Sequence, residues 1–343
     1  MAGIGGFIDY QKDISNELQI RDALMQSIMH RGLDEQGFYI ERHLQLLNTR
    51  AAIMDQENGK QPMHYGNYVL SYNGEIFNCE SVRQELQKQG YCFLSHCDSE
   101  VLIKAYDCWK ENCLSKLNGF FAFVIWDKQK QSAFMARDRL GIKPFFYYVY
   151  NQGIVFGSEI KTVFAHPDVP RVVKEEGLKE LFLLGPARTK GKTPLEGIFE
   201  LEAGEWATFS KEGLYKQYYW KLESKKHTDT KEETIQHVRD LVSSSIESQL
   251  HSDVGVCAFL SGGLDSSIIC KLASQKHRDF NTYSVSYEGN EKYFESNSFQ
   301  PSQDTEYIKI MVEDSLVKHH YYEVGQKEIV DTGSIIRNIE QIL

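Results

Sequence analysis

Four short segments hold residue types that can do chemistry together. The densest is SGGLDSS (261–267), with two glycines, three serines and one aspartate in seven positions. Glycines let the backbone approach a ligand closely, and a turn opening a helix aims several N–H groups at an anion. The GxxxxGK[ST] spacing is absent, so this is not a Walker A loop. Serines without that lysine suit a pyrophosphate leaving group. Asp265 would then help hold Mg²⁺, which takes one or two carboxylates plus phosphate oxygens. The plain alternative is an ordinary glycine turn between a strand and a helix.

The other three segments come earlier. Arg50, in TRAAIMD (49–55), carries a planar fork suited to a carboxylate, although a lone arginine is more often a solvated surface charge. Asn73-Gly74, in YNGEIFN (72–78), is first of all a hairpin-turn signal. Its side-chain amide and glycine N–H are also neutral donors that can be aimed at an oxyanion. Asp98, in CDSEVLI (97–103), precedes an apolar helical run and reads as a helix N-cap.

Two different architectures position these segments. Up to about residue 200, short aromatic and β-branched runs read as strands: GIGGFID (3–9), LQLLN (44–48), YVLSYN (68–73), FFAFVIWD (120–127) and SAFMARD (132–138). Val101, Leu102, Ala105, Tyr106 and Trp109 recur at helical spacing. Strands and helices in separate blocks predict an α+β sandwich, with helices over antiparallel sheets. The polar run 221–235 reads as a surface connection leading into a helix from about 231. Beyond it, a buried strand at 254–260, a helix with Ile268, Ile269 and Leu272, a strand at 281–287, a helix with Tyr307, Ile308, Met311 and Val312, and a strand at 319–324 predict a parallel α/β sheet. The expected domains are 2–205 and 231–343, with 206–230 linking them.

Composition bounds the function. A chain of 343 residues that is 41% hydrophobic has enough apolar material for two cores. A net charge of -10 argues against nucleic-acid binding. No apolar run approaches a membrane span, and no signal peptide is visible. The seven cysteines form no CxxC pair, so reduced thiols in a cytoplasm are expected rather than disulfides or zinc.

Taken in order, the N-terminal segments resemble class II glutamine amidotransferases, and SGGLDSS resembles the signature loop of the ATP-pyrophosphatases. Together they resemble a glutamine-hydrolysing asparagine synthetase. HRGLDEQG (30–37), LNGFFAFVIWD (117–127), RDRLGIKPFFY (137–147) and GSEIK (157–161) agree, with Leu33 and Gly255 where the family usually has proline. The resemblance implies an N-terminal-nucleophile sandwich followed by an incomplete ATP-pyrophosphatase domain. It implies that Arg50, Ala51, Ala52, Ile53 and Met54 hold glutamine together with Asn73, Gly74, Glu75 and Asp98. Asn73 and Gly74 would form the oxyanion hole, Arg50 would clamp the α-carboxylate, and Asp98 would pair with the α-ammonium. Leu260, Ser261, Gly262, Gly263, Leu264, Asp265, Ser266, Ser267 and Val285 would bind ATP, with Mg²⁺ at Asp265 through pyrophosphate.

By the same resemblance, ATP and aspartate give β-aspartyl-AMP, and glutamine-derived ammonia displaces AMP to yield asparagine. A β-lactam-synthetase-like acyl-adenylate ligase and a non-catalytic glutamine-binding module are the competing readings, and a homodimer is left open. Where the family carries its nucleophilic cysteine this chain has Ala2, which reads as a substitution or a recent loss. Without sulfur no thioester can form, so glutamine is expected to bind without being hydrolysed. Nothing after 325 matches the family's later synthetase segments, so the 343-residue chain is expected not to make asparagine by itself. Ile335, Ile336, Ile339 and Ile342 share one helical face in 332–343 that could pack on the sheet.

Overall fold

Alternation along each strand decides which layer a side chain enters, because successive residues point to opposite faces of a sheet. On β1 (Gly3–Asp9), Ile4 and Ile8 enter one core while Phe7 enters another. Both faces of this strand are covered, so every residue in it is buried. The computed structural model describes residues 2–185, 187–298, 302–315, 317–325 and 327. They fall into two units that divide between Ser224 and Lys225.

The first unit continues with β2 (Glu35–Glu41), β3 (Leu44–Arg50), β4 (Met63–Tyr65), β5 (Tyr68–Ile76), β6 (Gly119–Asp127) and β7 (Ser132–Arg137). After these come β8 (Phe146–Tyr150), β9 (Gly153–Gly157), β10 (Ile198–Glu200), β11 (Glu205–Ser210) and β12 (Gly213–Tyr218). They form two six-stranded sheets, ordered β10-β8-β9-β1-β3-β2 and β12-β11-β7-β6-β5-β4. Every pairing within them is antiparallel. The facing sides share a core that includes Ile4, Leu46, Val69, Val124, Trp126 and Phe156. The helices Leu18–Ile28 and Ile160–Phe164 cover the outer face of the first sheet, and Cys79–Lys88 and Asp98–Trp109 cover the second. This is the expected α+β sandwich.

Polar ties cross the central layer. Asn48 on β3 donates to Ser71 Oγ at 3.1 Å and to the Tyr72 carbonyl at 3.2 Å on β5. Trp126 Nε1 donates across the layer to Glu41 Oε2 at 3.0 Å. Trp126→Ala would remove both the indole packing and this bond. A loss of about 3–5 kcal/mol is expected from core truncations of this size. Urea unfolding of the full chain checks this, and an unchanged midpoint would contradict it.

In the second unit, a reciprocal capping box between Thr230 and Glu233 opens the helix Lys231–Gln249. β13 (Cys257–Phe259), β14 (Phe280–Tyr287) and β15 (Val317–Val324) form a parallel sheet in that order, linked by helices that include Leu264–Lys276 and Asp304–Asp314. The expectation of a buried strand over 254–260 is corrected here. Only Cys257–Phe259 is strand, it lies at the sheet edge, and Phe259 is 77% exposed because no described element covers it. Ile268 and Ile269 are also exposed, and the core is a small cluster of Leu260, Cys270 and Ile308. The helical face expected over 332–343 lies outside the described residues. Among the described residues, no helix is long and apolar enough to cross a membrane.

Candidate active site

The turn expected at Asn73-Gly74 does not form. Both residues lie inside β5, with Asn73 opposite Ala122 and Gly74 opposite Phe121 on β6. Glycine is needed for close approach: a Cβ at Gly74 would meet the Phe120 carbonyl oxygen and lie 2.6 Å from the Tyr72 ring. Continuous pairing with β6 therefore overrides the local turn signal. Asn73, only 1% exposed, keeps both Nδ2 and Oδ1 buried without a hydrogen-bond partner among the described residues. Such groups are rare, because desolvating an amide without a partner costs about 1–3 kcal/mol.

Asp98 is the first residue of its helix, and Cys97 occupies the cap position without a side-chain cap bond. The carboxylate turns instead to β5, accepting from the Tyr72 hydroxyl at 2.6 Å and the Ile76 amide at 3.1 Å. Burial pushes the Asp98 carboxyl upward, with the bonds from Tyr72 and backbone amides opposing it. Burial, with the Asp98 charge adding to it, pushes Glu75 up to about 7, and Lys143 partly offsets this. Two crowded carboxylates of this kind favour a cation between them. The fold favours protonated Glu75, so its contribution to stability is present below the ordinary glutamate range and is lost as pH rises through about 7.

Arg50 is buried, so the solvated-charge alternative fails. Its Nη1 donates to Glu35 Oε2 at 3.0 Å and to the Gln56 carbonyl at 3.1 Å. Its Nη2 donates to the carbonyls of Met54 and Asp55, each at 2.8 Å. Its first structural task is thus to shape the loop that follows it.

Ala2, Arg50, Ala51, Ile53, Met54, Gly74, Glu75 and Asp98 line one pocket. Ala52 is not in the lining, and its amide donates to Asp34 Oδ2 at 2.8 Å. Asn73 is likewise outside the lining, buried next to Gly74 along the strand. Sequence reading missed Gly59, Gln61, Tyr72, Cys97 and Ser99. Tyr72 was within reach of strand alternation, since it shares a face with Gly74, and Cys97 and Ser99 flank Asp98. Gln61 had no local signal: its Oε1 accepts from the Tyr72 amide at 2.7 Å and from Asn48 Nδ2 at 3.2 Å. No cysteine is close to Ala2 in sequence, but folding brings Cys97 into the same lining, its Sγ 2.8 Å from Ser95 Oγ.

In the second unit, Gly262 has φ +79°, and a Cβ there would lie 2.8 Å from the Asp304 carbonyl oxygen. Ser261 and Ser266 hydroxyls lie 3.0 Å apart and brace the loop. Gly263 opens the helix Leu264–Lys276 without a side-chain cap, which leaves first-turn amides for an anion. Asp265 and Ser267 stand in that turn, Asp265 exposed, and Val285 is also exposed. Leu260 differs: its side chain is in the core, its amide donates to Tyr283 at 2.8 Å, and its carbonyl accepts from the Ser284 hydroxyl. Among the described residues, no group of three or more His, Cys, Asp or Glu could hold a metal ion. A lone carboxylate beside a phosphate cradle nonetheless fits Mg²⁺, which takes much of its coordination from phosphate and water.

An antiparallel sandwich with paired carboxylates and a buried carboxamide, joined to a parallel unit with an anion-cradling loop, defines an amidotransferase coupled to a nucleotide-binding domain. Residues 1–220 match the glutamine amidotransferase domain family, and residues 237–342 match asparagine synthase. The chain belongs to the family of glutamine-hydrolysing asparagine synthetases. It is 43% identical over 340 residues to asparagine synthetase [glutamine-hydrolyzing] 3 of Bacillus subtilis, covering 96% of this chain and 55% of that protein. It is 31% identical over 366 residues to a putative asparagine synthetase 2 of Methanocaldococcus jannaschii, covering 98% and 68%. Among solved structures, a glutamine phosphoribosylpyrophosphate amidotransferase from B. subtilis is similar at TM-score 0.47 and 15% identity, covering 94% of this chain and 81% of that one. The chain spans about half the length of several of the curated relatives it matches.

The paired-carboxylate geometry makes a direct prediction. Asp98→Asn removes the charge beside Glu75, so the Glu75 carboxyl should titrate below its present value of about 7. A ¹³C NMR titration of the Glu75 carboxyl measures this, and an unmoved or higher midpoint would contradict the coupling.

Proposed function

We propose that the first unit binds glutamine, as the amidotransferase half of an ATP-dependent asparagine synthetase. The observation that carries this reading is the pocket lined together by Ala2, Arg50, Gly74, Glu75 and Asp98; next to it along the strand, the buried Asn73 side-chain amide has no partner among the described residues. An amide carbonyl oxygen placed beside Asn73 and Gly74 would supply the acceptor that Nδ2 lacks. Charge developing on that oxygen is what such preorganised donors stabilise in acyl transfer. Glu75 and Asp98 are the groups for the α-ammonium. Arg50 lines the same pocket, with Nε as its nitrogen for the α-carboxylate, because Nη1 and Nη2 already hold the loop.

At Ala2 the pocket presents a methyl group where the family has its thiol. A methyl cannot attack the amide carbon, so glutamine stays intact. For the whole protein, the reading is adenylation of aspartate by ATP with Mg²⁺, followed by displacement of AMP by ammonia. In the second unit, the loop Ser261 to Ser267 would cradle the phosphates, with Asp265 near the metal. Ala2 also favours a second reading, a glutamine-binding module that performs no catalysis.

Isothermal titration calorimetry with glutamine tests the proposal. Binding without ammonia release is expected, and Ala2→Cys should restore ammonia release. Because an α-ammonium favours ionised Glu75, binding should release protons and tighten as pH rises through about 7. No heat of binding, or proton uptake when glutamine binds, would overturn the reading. A response to glutamine with none to ATP–Mg²⁺ or aspartate would favour the module.

A further inference from the structure

Two of the chain segments that line the pocket are tied to each other through Asp55. Arg50, Met54 and Gly59 belong to the first wall, and Cys97, Asp98 and Ser99 to the second. Asp55 lies between them, only 4% exposed on its side chain. Its φ of +43° falls in the left-handed region, which a residue with a Cβ enters at a cost in free energy. Such a conformation persists when surrounding bonds over-determine it, and here they do.

Within the first wall, the Asp55 carbonyl accepts from Arg50 Nη2 at 2.8 Å and from the Gly59 amide at 3.0 Å. Oδ1 accepts from the Asn58 amide at 3.1 Å and from Asn58 Nδ2 at 2.9 Å. These bonds make a local turn, and a turn alone would need nothing further. Oδ2, however, reaches the second wall, accepting from the His96 amide at 2.9 Å with His96 Nδ1 at 3.2 Å. The second wall is itself braced. Glu100 accepts from the amides of Leu94 and Ser95, at 3.0 and 2.8 Å, and pairs with Lys104. Asp55 therefore grips an anchored segment.

We propose that Asp55 and His96 form a latch between the two walls, with Asp55 as a positioning residue for glutamine. This rests on the glutamine reading of the pocket. The latch touches no reacting atom. It fixes the separation between Arg50 and Asp98, the groups for the α-carboxylate and the α-ammonium on the α-carbon of the amino acid. Glutamine, held by both, is sensitive to that separation. The His96 side chain is 63% exposed, so its replacement removes the Nδ1 contact with Asp55 without opening a core.

The test uses the full chain with Asp55→Asn, His96→Ala and His96→Lys. Calorimetry measures glutamine affinity, and hydrogen exchange at the Asn58 and Gly59 amides is followed in the ligand-free protein. His96→Ala should weaken binding about three- to fivefold and Asp55→Asn about tenfold, with faster exchange at both amides. His96→Lys, which places a cation opposite Asp55, should recover both readouts, a rescue that mere space-filling would not give. Unchanged affinity and exchange in His96→Ala and Asp55→Asn would overturn the latch, as would failure of the lysine to rescue. If the parent chain binds no glutamine, the reading of the pocket fails, while exchange at Asn58 and Gly59 still decides the latch.

Discussion

A side-chain amide shut away from water without a partner is a free-energy cost that packing must sustain, and Asn73 imposes that cost at the centre of β5. Nothing local requires it. The residue is held there because β5 is paired along its whole length with β6, and both of its faces are covered. One face meets the opposing sheet and the other meets the helix Asp98–Trp109. Asn48 in the opposite sheet satisfies its Nδ2 with Ser71, Tyr72 and Gln61 but leaves its own Oδ1 without a partner among the described residues, as Gln45 does its Oε1, whereas Asn73 leaves both side-chain atoms unpaired. The sandwich thus supplies the stability that sustains these unpaired groups.

The charges follow from the same burial. Removing water from Glu75 and Asp98 raises both carboxyls, and the Asp98 charge adds to the rise at Glu75. The pocket is therefore polarised before any ligand enters, with a demand for positive charge at one end and for an acceptor beside Asn73. Arg50 works differently from an isolated cation. Buried against Glu35 and three carbonyls, it is part of the pocket wall.

Strand positions in the first unit were legible because both sheets bury alternating apolar residues, and GIGGFID and FFAFVIWD carry that pattern plainly. The turn signal of Asn73-Gly74 is local, and a turn dipeptide says nothing about the long-range pairing that overrides it. Asp98 was likewise read as a cap from its neighbours, whereas its partners, Tyr72 and Ile76, lie on β5, more than 20 residues back in sequence. Gln61 and Cys97 enter the pocket through tertiary folding and left no periodic trace. In the second unit, the glycine loop was visible because its spacing is local. The burial of its strand was not, because burial depends on what covers a face, and hydropathy reports only what could be covered.

The proposed partner of the unpaired Asn73 Nδ2 is glutamine's amide oxygen, and NMR of the Asn73 side-chain amide is the most direct measurement. With ¹⁵N-labelled protein, adding glutamine should shift one Asn73 Nδ2 proton downfield and slow its exchange with solvent, as a new hydrogen bond requires. Saturating glutamine that leaves both Asn73 side-chain protons where they stand in the free protein would contradict the account.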